Sequence, residues 1–144
     1  MGGIWGRVAI GVGAAAGFCL VWCVVLALCA WLSGWRRLAA EYPGQPVVGA
    51  GALRWASARI GIVDYSGALR IRADASGLAI APAWFFRPFH PPLEIPWSDI
   101  EVGALPAHAL CGLRLRIPAL PGARVRLYGR AARLCATLRE ARGQ

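Results

Sequence analysis

VAIGVGAAAGFCLVWCVVLALCAWLSGW, Val8 to Trp35, is a run of twenty-eight residues without a charged side chain. Arg7 closes it on one side and Arg36-Arg37 on the other. An α-helix rises 1.5 Å per residue, so the run reaches roughly 42 Å. The hydrocarbon core of a bilayer is about 30 Å thick and takes about 20 residues. Eleven Val, Ile, Leu or Phe residues stand between Val8 and Leu32. At about −0.3 to −0.6 kcal/mol each, they favour insertion by roughly 3 to 6 kcal/mol. The glycines at 11, 13 and 17 would weaken a soluble helix but are tolerated in spanning ones. The sequence predicts one transmembrane helix over 8–35 behind a short tail, 1–7.

Tryptophan and arginine mark both ends. Trp5 and Arg7 precede the run, and Trp31, Trp35, Arg36 and Arg37 close it. Tryptophan favours the headgroup level, so these six residues are expected to anchor the helix in the bilayer. A cleaved signal peptide needs an apolar core of only about 7–15 residues. Val25-Leu26-Ala27 resembles a cleavage site and Leu26-Ala27-Leu28-Cys29 a lipoprotein box, but apolar residues continue past the first and Leu28 is too large for the second. Basic residues gather on cytoplasmic flanks. Arg36 and Arg37, followed by Arg54 and Arg59, outweigh Arg7 and point to a cytoplasmic C-terminal domain.

Of sixteen basic residues only Arg7 precedes the run, so the segment from Arg36 carries fifteen arginines against seven acids, a net of +8. It has room for one small domain. The chain has no lysine and no asparagine, which fits the codon bias of a GC-rich bacterial genome. A basic domain beside a bilayer is drawn to anionic lipid by about 1 kcal/mol per residue near the surface. Cys19, Cys23 and Cys29 fall within the run; Cys111 and Cys135 follow in apolar patterns and read as reduced core thiols, the alternative being a disulfide between them, which would imply the opposite orientation.

Residues 36–53 are expected as a juxtamembrane connector, broken by Pro43-Gly44 and Pro46 and opened by one helical turn over Leu38–Tyr42. The domain then spans 54–144. Alternating apolar residues predict short strands at Arg59–Val63, Leu69–Ala73, Leu78–Ala81, Leu93–Trp97, Ile100–Val102, Gly112–Ile117 and Arg124–Tyr128. The period then changes. Ala131, Leu134, Cys135 and Leu138 fall on one helix face, giving an amphipathic helix over 130–142. The fold class is one transmembrane helix plus a small, mainly-β domain of about seven antiparallel strands, a partly open barrel closed by a C-terminal helix.

That order resembles pleckstrin-homology-like (PH-like) domains. The stretch from Phe86 to Ile100, FRPFHPPLEIPWSDI, with Gly77-Leu78-Ala79-Ile80 before it, is similar to a segment in uncharacterised small bacterial membrane proteins. These carry a PH-like domain behind one N-terminal transmembrane helix. The resemblance implies a fold and an inner-membrane location and brings no mechanism.

Among the residues that carry chemistry, Phe89-His90-Pro91-Pro92 is a proline-stiffened loop able to hold Arg87 and His90 toward an anionic group. Arg70 and Arg72, Arg114 and Arg116, and Arg124 and Arg126 alternate with apolar residues and would form one basic face if their strands neighbour one another. Such a face fits lipid phosphates or an acidic partner. It lacks the interleaved aromatics that stack nucleic acid. Gly13 and Gly17 have the small-residue spacing of close helix packing, for a membrane partner or a second copy. His90, His108 and Cys111 lack ligand spacing, so neither a metal nor a cofactor is expected. No nucleophile elbow, phosphate loop or paired carboxylates point to an enzyme. The expected function is a non-enzymatic, membrane-anchored interaction module. The alternatives are an accessory subunit assembling through its helix, or an anionic-lipid sensor.

Overall fold

The computed structural model describes residues 2–104, 112–141 and 143. A long helix, α1 (Gly2–Leu32), breaks at Ser33-Gly34 and resumes as α2 (Trp35–Glu41). Gly34 takes a left-handed φ of 74°, which ends one helix and starts the next without a Cβ penalty. Seven strands follow: β1 (Leu53–Ile60), β2 (Val63–Ala73), β3 (Gly77–Pro82), β4 (Leu93–Pro96), β5 (Glu101–Ala104), β6 (Gly112–Arg116) and β7 (Arg124–Tyr128). The chain ends on α3 (Gly129–Ala141). All strands join in one antiparallel sheet, ordered β4-β3-β2-β1-β7-β6-β5. The sheet curls into a half-barrel and α3 lies against β1, β2, β6 and β7. The apolar helix, seven strands and terminal helix are the expected PH-like architecture.

One boundary differs from expectation. Arg59–Val63 is not a single strand: Arg59 and Ile60 end β1, Val63 starts β2, and the chain reverses at Gly61, φ 60°, and the exposed Ile62. Ile60-Gly61-Ile62-Val63 alternates like a strand, and no Asn, Asp or Pro marks the turn. The hairpin is closed by an ion pair between Arg59 and Asp64, which lowers the Asp64 pKa. After β3, Trp84–Phe86 forms a single 3-10 turn, and Phe86 packs against the core.

The stretch 36–53 is not a free connector. Trp35, Leu38 and Tyr42 belong to the same buried cluster as Ile60, Leu69, Ile71, Leu78, Ile80, Leu115 and Leu127. Pro43 then bridges Leu93, Gly44 donates its N–H to the Pro92 carbonyl, and Glu94 donates to the Tyr42 carbonyl. These bonds cover the open edge of β4, which would otherwise present unpaired backbone groups. A Cβ on Gly44 would stand 2.6 Å from the Leu93 carbonyl carbon, so only glycine permits this approach. Val47 crosses the outer face of the sheet and packs on Ala79 and Ala81. On the inner face, α3 contributes Ala131, Ala132 and Cys135, and burial pushes the Cys135 thiol up to about 12.

One helix, Gly3–Leu32, is long and apolar enough to cross a membrane. Its surface has two parts. Gly3 to Val21 is exposed throughout. From Trp22 onward one face turns toward the domain: Trp22 and Cys23 are half-buried and Leu26, Ala30 and Ser33 are buried. The i, i+4, i+8 spacing of Trp22, Leu26 and Ala30 places them on one stripe.

Candidate functional site

The helix–domain seam fixes the geometry around the FRPFHPP loop. His90 is 1% exposed. Its Nδ1 lies 3.0 Å from the Pro88 carbonyl and its Nε2 lies 2.9 Å from the Tyr65 hydroxyl. A carbonyl only accepts, so Nδ1 carries the proton. Burial pushes the imidazole pKa down, so the ring is neutral and Nε2 accepts from Tyr65. The Tyr65 oxygen is 3.1 Å from Ser33 Oγ, which also lies 3.4 Å from the Ala30 carbonyl and accepts the Trp35 backbone N–H at 3.2 Å. Burial pushes the Tyr65 hydroxyl up to about 12. Trp35 stands edge-on to His90 at 5.0 Å and donates its indole N–H to the Pro91 carbonyl at 2.8 Å. The end of α1, the start of β2 and the loop 87–92 are thus tied by one chain of polar and ring contacts.

This places two expected site residues differently. His90 is buried with both ring nitrogens engaged, so it is part of a wall and not an exposed side chain on the loop. Trp35 is not a membrane anchor: it is fully buried in the domain core. The Ser33-Gly34 break turns its ring from the helix surface into the sheet. Trp5 is 76% exposed and Trp31 69%, so both remain on the apolar helix surface.

Beside the loop lies a cavity of about 230 Å³, walled by Val47, Arg70, Ala81, Arg87, His90 and Pro91, among others. Arg70 reaches it because it stands on the outer face of β2 opposite Ala81. Val47 closes the other side. The structure therefore joins Arg70 to Arg87 and His90, which follow it by seventeen and twenty residues in sequence. Neither Arg70 nor Arg87 has an ion-pair partner among the described residues. Arg72 does not join them; its Nε lies 3.2 Å from Asp74 Oδ2. A larger cavity of about 420 Å³ borders Trp31, Arg36, Arg37 and Ile62 where α1 ends. It is a cleft at the Ser33-Gly34 turn, and its arginines are those expected at the headgroups.

The remaining arginines form a separate group. Arg114 faces Arg126 and Arg116 faces Arg124 across β6 and β7. β1 stands between β7 and β2, so the basic residues of β2 do not continue this face. Arg59, beside Arg126, is neutralised by Asp64. Gly13 and Gly17 lie on the exposed part of α1, with open space around both. His108 and Cys111 lie outside the described residues; within those residues no three His, Cys, Asp or Glu side chains are grouped for a metal.

Sequence reading missed Tyr65 as the partner of His90 and Ser33 as the partner of Tyr65, because twenty-five and thirty-two residues separate these pairs. The interrupted helix at Ser33-Gly34, followed at once by Trp35, was the signal available. No family model matches the chain, and neither a curated protein nor a solved structure is similar enough to count as a match.

Proposed function

We propose that this chain is a single-pass protein of the bacterial inner membrane whose PH-like domain is a non-catalytic interaction module on the cytoplasmic side. The domain takes an anionic group of a lipid or a protein partner into the Arg70–Arg87 cavity. One observation carries this reading: two guanidiniums without carboxylate partners among the described residues share a cavity whose wall is fixed by the helix–domain seam. Guanidinium binds oxyanions through paired N–H donors and holds no exchangeable proton for acid–base chemistry near neutral pH. The neutral, doubly engaged His90 adds no free base.

The docking of α1 supports retention of the helix. Cleavage after Ala27 would strip Trp22 and Leu26 from the domain and expose the surface beneath them. The resemblance of the Phe86–Ile100 segment to small bacterial membrane proteins supports the same location.

Binding is tested on the full chain in phosphatidylcholine nanodiscs, with short-chain phosphatidylglycerol and inorganic phosphate as probes. Either probe should raise the thermal midpoint of the wild-type domain, and Arg70→Gln with Arg87→Gln should abolish the rise. An equal rise in that double variant, or loss of the rise in Arg114→Gln/Arg116→Gln instead, defeats the assignment. C-terminal fusions read the orientation: fluorescence without alkaline phosphatase activity is expected, and the reverse pattern defeats the cytoplasmic placement.

A further inference from the structure

The docked end of α1 shortens the part of the helix that lipid can surround. Protection by the domain begins at Trp22, and the exposed stretch from Gly3 to Val21 is nineteen residues long. Nineteen residues reach about 28 Å, just short of the roughly 30 Å of hydrocarbon. Counted from Val8, the first residue beyond Arg7, the free stretch has fourteen residues. Those reach about 21 Å, some 9 Å too few. Tilting only lengthens the demand. On either count the hydrocarbon edge falls at Trp22 or beyond it, on the domain side.

At that depth the domain presents aromatic rings. Trp22 donates its indole N–H to the Phe85 carbonyl at 3.2 Å, and its ring is 5.5 Å from that of Phe86. Phe85 touches Trp84 at 5.5 Å and Trp55 at 6.4 Å. The two tryptophans are 71% and 65% exposed, which is costly in water for rings of this size. Trp55 is also held at φ 57°, a left-handed conformation that bulky residues rarely take. Arg54 and Arg87, both exposed, adjoin this group in the chain.

We propose that this aromatic end of the domain is sunk into the interfacial layer of the bilayer, so that the domain lies against the membrane instead of hanging from it. The inference rests on α1 spanning the bilayer. Its occupant is lipid: Trp55 and Trp84 sit at the headgroup level, where indoles partition best, and Arg54 and Arg87 reach the phosphates beside them. The Arg70–Arg87 cavity then opens close to the membrane plane.

The test uses the full chain in phosphatidylcholine vesicles carrying chain-brominated lipid, which quenches only tryptophans near the hydrocarbon. Wild type is compared with Trp55→Phe, Trp84→Phe and the double variant; both positions are exposed, so the fold is retained, as circular dichroism verifies. The emission lost in the variants should come from the fraction that bromolipid quenches, leaving the fraction quenched by aqueous iodide unchanged. If the lost emission comes from the iodide-quenched fraction, the immersion is overturned. Vesicle flotation reads the anchor separately: a chain that fails to float defeats the spanning helix and the immersion together, whereas a floating chain with iodide-quenched Trp55 and Trp84 defeats the immersion alone.

Discussion

Trp35 separates two accounts of the Ser33-Gly34 turn by a large energy. As a membrane anchor, its loss would weaken partition and leave the β-domain intact. As a core residue, fully buried between Leu38, Tyr65 and His90, its loss strikes the domain. Truncating a buried Trp to Ala costs about 3–5 kcal/mol, and loss of the indole bond to the Pro91 carbonyl adds about 1 kcal/mol. Trp35→Ala should therefore remove about 4–6 kcal/mol from a domain whose total is about 5–15 kcal/mol. Trp31 is the control, four residues earlier and 69% exposed, where the same truncation should stay within about 0.5 kcal/mol. Urea unfolding of the full chain in mild detergent, followed by near-UV circular dichroism, reads the difference. At about 1–3 kcal/mol per M, Trp35→Ala should lower the midpoint by more than about 1 M. Midpoints that match for Trp35→Ala and Trp31→Ala, with vesicle partition lowered in both, would refute the core assignment.

Three further outcomes follow from the same contacts. A fragment beginning at Ala52 lacks Trp35, Leu38, Tyr42 and Val47 and should give the collapsed proton spectrum of an unfolded chain, whereas one beginning at Ser33 should give dispersed signals. Burial holds the folded His90 pKa below its ordinary 6.5, so below that pH the unfolded chain takes up a proton that the folded one refuses. Stability is then complete above about pH 6.5 and falls as the pH drops, by at most about 1.4 kcal/mol per unit; His90→Gln should flatten the slope between pH 6.5 and 4.5, above the range of the lowered Asp64 and Asp74 carboxylates. Gly61→Ala combines a left-handed φ of 60° with a Cβ that would stand 2.7 Å from the Ser33 carbonyl oxygen; the left-handed cost alone is about 1–2 kcal/mol, and a Gly67→Ala variant, also left-handed but in open space, isolates the contact with the helix when their unfolding midpoints are compared.

What the sequence made legible was local. The uncharged run, the alternation of Gly112–Ile117 and Arg124–Tyr128 and the apolar stripe of α3 each announce their element within a dozen residues, because period and burial agree there. Arg59–Val63 read as a strand since a glycine turn between isoleucines keeps the period of two through a reversal. Trp35 and His90 were placed by type: an indole beside arginines at a helix end, and an imidazole between prolines. Their roles come from Tyr65 and Ser33, partners that no local pattern indicates. The arginine pairs were legible as outward-facing, but whether they joined depended on strand order. The order put β1 between β7 and β2, dividing the expected basic face, while the chain from Pro46 to Val47 folded back to enclose Arg70 instead.

The break at Ser33-Gly34 also changes how α1 is joined to its domain. A helix joined to its domain by a flexible connector transmits nothing about its tilt or depth. Here Leu26 and Ala30 are buried against the domain, Ser33 is bonded to Tyr65, and Trp35 is bonded to Pro91. Each contact fixes one more degree of freedom, and together they set the direction of the helix relative to the sheet. The loop 87–92 that borders the Arg70–Arg87 cavity hangs on the same contacts, through Pro91 and through His90. Any displacement of the helix end must therefore either break buried hydrogen bonds, at about 1–3 kcal/mol for each group left unsatisfied, or carry the loop with it. A shift of α1 against the sheet that keeps those bonds therefore moves the cavity wall with it.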